Sequence, residues 1–67
     1  MAVYRVCLLG LAGKLESERR IFVDSTQDAL AAARDMLESD RRLSGFEIWQ
    51  GASRLHAEAR KNRQHKA

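Results

Sequence analysis

The chain has one cysteine, no proline and only four aromatic side chains among its 67 residues. A single cysteine excludes an internal disulfide. Two histidines and that cysteine, far apart in sequence, do not form a metal-ligand set, so no cofactor or metal is implied. No apolar run approaches the ~20 residues needed to span a bilayer. Gly10 and Gly13 match neither a P-loop nor a dinucleotide fingerprint. A chain of this length makes one domain, and a core so small rarely supplies more than ~3–5 kcal/mol. Disulfide and metal being excluded, oligomerisation is the remaining source of extra burial.

Charge is unevenly placed. The net charge is +3, but residues 54–67 carry +4 and the first 53 residues carry −1. The basicity belongs to the end of the chain, so it does not mark the folded part as a nucleic-acid binder. The opening MAVYRVCLLGLAGK has signal-peptide colouring, yet Arg5 interrupts its apolar part and no charged segment precedes it. It reads as a strand, and the protein as cytoplasmic.

What is present is organised around residues 25–39, STQDALAAARDMLES. Ser25 and Asp28 approximate a capping box, and Asp24 and Asp28 complement the positive end of the helix dipole. The interior is Ala-rich and free of glycine and β-branched runs. Leu30, Ala33 and Leu37 set an apolar stripe that Ala29 and Met36 widen. Arg34 and Glu38 have the spacing of a pair on the wet side. About fifteen residues form a marginal helix in isolation, so this one requires a surface to lie on.

The flanking runs supply it. Residues 2–9 alternate, with Tyr4, Val6 and Leu8 on one face and Val3, Arg5, Cys7 and Leu9 on the other. A GLAGK turn leads to a second strand over 16–23, where Ile21 and Val23 point to the helix and Arg20 and Phe22 away. Residues 40–45 read as a polar connection. Over 45–50, Phe46 and Ile48 share one face and Glu47 and Trp49 the other. Gly51-Ala52 fits a two-residue turn, which would set Ile48 opposite Leu55 and Trp49 under Arg54 as a cation–π pair. A second helix capped by Ser53 competes with a fourth strand to about residue 57. The strand is preferred because it gives Leu55 a buried partner. The expected fold is α+β, in the order β-β-α-β-β: one antiparallel sheet of four strands with a single helix on one face. Residues 1–57 would form the domain and 58–67 a basic, disordered tail. The place of the third strand in the sheet is not readable.

The strand Tyr4-Arg5-Val6, the Ala-rich helix after an acidic residue, and above all Phe46-Glu47-Ile48-Trp49-Gln50-Gly51 resemble a group of short bacterial ββαββ proteins of unknown function. The resemblance covers roughly residues 4–56. It implies the hairpin at 51–52 and brings no activity or catalytic residues. A looser similarity, in ββαβ order alone, is to antitoxin-type partial RNase-H-like domains, though no DNA-binding domain is appended here.

Candidate chemistry is sparse. Cys7, mid-strand with no His or Lys nearby to lower its pKa, reads as a small buried hydrophobe. His56 lies between Leu55 and Ala57 and reads as a partly exposed strand histidine, and His65 as solvated. The carboxylates of the helix region are explained by capping and a wet face, and a body this small has little room for a pocket of several hundred Å³. No enzyme is indicated. One helix leaves the other sheet face uncovered. There Val3, Arg5, Cys7, Phe22, Trp49 and Arg54 make an apolar patch rimmed by arginine, the composition of a protein–protein interface. The expectation is a binding or structural module, homodimeric through that face. The alternative is a nucleic-acid accessory protein holding phosphates weakly with Arg60, Lys61, Arg63 and Lys66.

Overall fold

The structure is a computed structural model, and it describes residues 1–60. Strands β1 (Ala2–Leu9) and β2 (Leu15–Val23) form a hairpin; helix α1 (Thr26–Ser39) follows, then β3 (Gly45–Gln50) and β4 (Ser53–Ala59). The four strands make one sheet in the order β2-β1-β3-β4, every neighbouring pair antiparallel. β3 therefore returns to the free side of β1, and the helix lies across one face.

Side-chain alternation builds the core. Tyr4, Val6 and Leu8 of β1 and Phe46 and Ile48 of β3 are buried beneath the helix. Ile21 and Val23 pack against them from β2. The helix buries Ala29, Ala33 and Leu37, with Leu30 and Met36 at the margins. Ala29 and Ala33 have no exposed surface, so small residues let the helix lie close over the sheet. Ser25 caps it, its Oγ accepting the Asp28 N–H at 3.1 Å. The Tyr4 hydroxyl reaches the Thr26 hydroxyl at 3.3 Å, tying β1 to the first helical turn. Leu43, within the stretch expected to be a polar connection, is buried and completes the core.

The end of the chain departs most from expectation. The segment after residue 53 is a strand, and the helical alternative does not form. Its register carries a bulge: Trp49 pairs with Arg54 as expected, but Ile48 pairs with His56, not Leu55. One extra residue on β4 reverses the alternation, which leaves Leu55 exposed and brings His56 to the core side. There its ring stacks on Phe46, centroids 6.1 Å apart. The folded part also runs past residue 57. β4 continues to Ala59, and the Arg60 N–H donates to the Ser44 carbonyl at 2.7 Å. The Arg60 guanidinium donates to the carbonyls of Leu43, Asp40 and Leu37, adding a second donor at the C-terminal end of α1, where the Leu37 carbonyl also accepts the Asp40 N–H.

Glu58, expected in the tail, binds the helix. Arg34 grips its carboxylate with two bonds, at 3.0 and 2.9 Å, and so does not pair with Glu38. His56 Nε2 lies 3.1 Å from the same carboxylate. The Arg34 guanidinium, then His56, hold the Glu58 carboxyl down at about 2. Its folded pKa lies below the unfolded one, so its stabilisation is complete above about 4.5 and is lost as pH falls toward 2. Water screens the pair, which limits the loss to about 1 kcal/mol. Glu58→Gln should remove that part of the acid dependence, read as urea midpoints between pH 6 and pH 2.5. An unchanged acid limb would show that the clasp does not act.

Candidate sheet-face interface

The sheet face away from α1 is ordered in four transverse rows, because cross-strand partners point to the same side. Phe22 of β2 stands opposite Val3 of β1. The next row runs Arg20, Arg5, Trp49, Arg54 across all four strands. Beside it run Glu18, Cys7, Glu47 and Ala57. The last row is Leu15, Leu9, Gly45 and Ala59, brought level by a second bulge at Glu16. The face is therefore banded: apolar, basic-aromatic, acidic, apolar.

Contacts within the face link the two middle bands. Arg5 Nη1 donates to Glu18 at 2.8 Å and Nη2 to the Gly51 carbonyl at 3.2 Å. Its guanidinium carbon sits 5.5 Å from the centroid of the Trp49 ring. The cation–π partner of Trp49 is thus Arg5; Arg54, expected in that role, turns to Glu47 at 3.2 Å. Trp49 Nε1 donates to the other Glu47 oxygen at 3.1 Å, so the indole is half-buried and its polar edge satisfied. Gly51 makes the adjacent tight turn possible with a φ of 60°.

The expected interface residues do not contribute alike. Val3 and Phe22 are 46% and 59% exposed and form one apolar patch. Arg5 and Trp49 form the centre and Arg54 the flank. Cys7 is 7% exposed and offers little contact area. Burial, then the Glu18 charge, pushes its thiol pKa up, away from the thiolate form that reacts. Glu18 and Leu15 also belong to this face. Glu18 was legible from its even spacing to Arg20; Leu15 was not, because a bulge sets its position.

Of the residues proposed to meet phosphates, Arg60 is committed to backbone carbonyls. Lys61, Arg63 and Lys66 lie outside the described residues. Elsewhere, an open groove of about 460 Å³ runs between β2 and the end of α1, larger than expected for so small a body. Leu8, Met36 and Leu43 line it together with Arg19 and Glu16, and its Arg42 is bonded to Asp40. Among the described residues no three His, Cys, Asp or Glu side chains gather as metal ligands, and no helix is long and apolar enough to cross a membrane. No protein-family model, curated protein or solved structure matches the chain.

Proposed function

We propose that the protein is a small cytoplasmic binding or structural module that pairs with a second copy through the sheet face around Trp49. One observation carries this reading: Val3 and Phe22 stand exposed beside an Arg–Trp–Arg row on a face that no described element covers. Aromatic and arginine side chains around a drying centre are what association surfaces are made of. A cytoplasmic setting suits the free thiol of Cys7. Chemistry has less support. Cys7 is held as a thiol, and His56 is occupied by Phe46 and Glu58.

The face is small. Four strands ~4.8 Å apart and four rows ~6.8 Å apart give roughly 500 Å² per copy, about 1,000 Å² in a pair. That is at the low end of specific interfaces and fits a dimer in the micromolar range. Sedimentation equilibrium of the whole chain should give a dimer at tens of micromolar. Phe22→Ser alters an exposed residue and should shift it to monomer with the circular dichroism unchanged. Trp49→Ala should do the same more strongly, because it also frees Arg5. A wild-type chain that is monomeric at these concentrations overturns the reading.

A further inference from the structure

From the banding of the open sheet face we infer that two copies meet about a two-fold axis running across the strands, between the arginine row and the glutamate row. The inference rests on the pairing proposed above and goes on to its geometry and to the residues that set it. A two-fold interface places one patch against itself, so the patch must be self-complementary. Two axes in the plane of this face, one along and one across the strands, bring its rows into register with the partner's rows. An axis along the strands puts each row over itself: Arg20 over the partner's Arg54, Glu18 over the partner's Ala57, with the basic rows stacked. An axis across the strands exchanges the rows. The basic row then covers the acidic row, and the Phe22–Val3 row covers the Leu15–Leu9 row. Arg20 meets Glu18 of the other copy, Phe22 meets Leu15, and Val3 meets Leu9, each twice by symmetry.

The charges of the isolated chain favour the second arrangement. Arg5 and Arg54 are each bonded to a glutamate of their own face, at 2.8 and 3.2 Å. Arg20 is exposed, has no ion pair among the described residues, and stands directly across from Arg5. A like-charged pair facing each other across two strands is unfavourable. The crossed axis relieves it by placing a carboxylate over Arg20. The same axis sets the exposed Phe22 over Leu15, which is 61% exposed, so both apolar ends are covered together. Like-on-like stacking instead sets Arg20 against an arginine of the other copy at both edges of the interface.

Charge reversal at one exposed position separates the two axes. With the crossed axis, Arg20→Glu sets two carboxylates against two others and should weaken dimerisation about tenfold by sedimentation equilibrium in 50 mM salt. Arg20→Glu combined with Glu18→Arg should restore the dimer to within about threefold. With the axis along the strands, Arg20→Glu instead faces Arg54 of the other copy and should tighten the dimer. Tightening, no change, or a double variant that stays weak overturns the register while leaving dimerisation itself standing. A monomeric wild type would instead remove the proposed pairing. The single variant changes one exposed side chain and the double variant two, the second of them the partner of Arg5, and circular dichroism checks that both fold.

Discussion

Phe46→Ala should unfold the protein at 25 °C. Phe46 has no exposed surface and, with Ile48 and Val6, is among the largest fully buried side chains. It lies under the helix and carries the His56 ring stacked on it. Truncating a buried phenylalanine removes its transfer free energy and leaves a cavity, together about 3–5 kcal/mol. A domain of this size has about that much in total, so no stable fold remains below the concentration at which copies pair. Far-UV circular dichroism at 2 micromolar should show a disordered spectrum. Phe46→Leu, which keeps most of the volume, should stay folded with a lower urea midpoint. A cooperative transition in the alanine variant, with an unchanged midpoint, would place the centre of the core elsewhere.

Gly45→Ala should cost about 2 kcal/mol, although alanine suits a strand better than glycine does. A Cβ at residue 45 would lie 2.5 Å from the Glu58 carbonyl oxygen and 3.1 Å from the Ala59 Cα. Both are backbone atoms of β4, so no side chain can swing aside. The strand must move, and the Arg60 bond to Ser44 and the Arg34–Glu58 clasp weaken with it. Urea unfolding gives the cost. Hydrogen exchange should show the Arg60 amide losing more protection than the Val6 amide. Equal stability in the two proteins would mean that β3 and β4 have room to separate there.

These two positions differ in how they could be read beforehand. Phe46 is legible from alternation: Phe46 and Ile48 against Glu47 and Trp49 fixes which face is buried, once a helix is known to need a surface. The helix, its Ser25 cap and the inward set of β1 and β2 follow in the same way. Gly45 read only as the junction between a polar connection and the third strand. Its working constraint is the β4 backbone passing close by, thirteen and fourteen residues distant, which no local pattern announces. Leu43 was passed over for a related reason, being a lone apolar residue among arginines and aspartate with no periodicity to mark it. The candidate face was legible as a set of outward residues but not as rows, because the rows depend on register.

Order, element type and the inward faces of β1, β2 and β3 were written in the chain, since they follow from side-chain periods of two and about 3.6 residues and from the chemistry of caps and turns. The tertiary structure alone decided that β3 lies beside β1, that bulges at Glu16 and Leu55 shift the pairing, and that Glu58 and Arg60 belong to the fold. Each of those depends on which distant backbones come together. That choice is made by the summed packing of the whole sheet against one helix, and a local stretch of sequence contains only its own share of it.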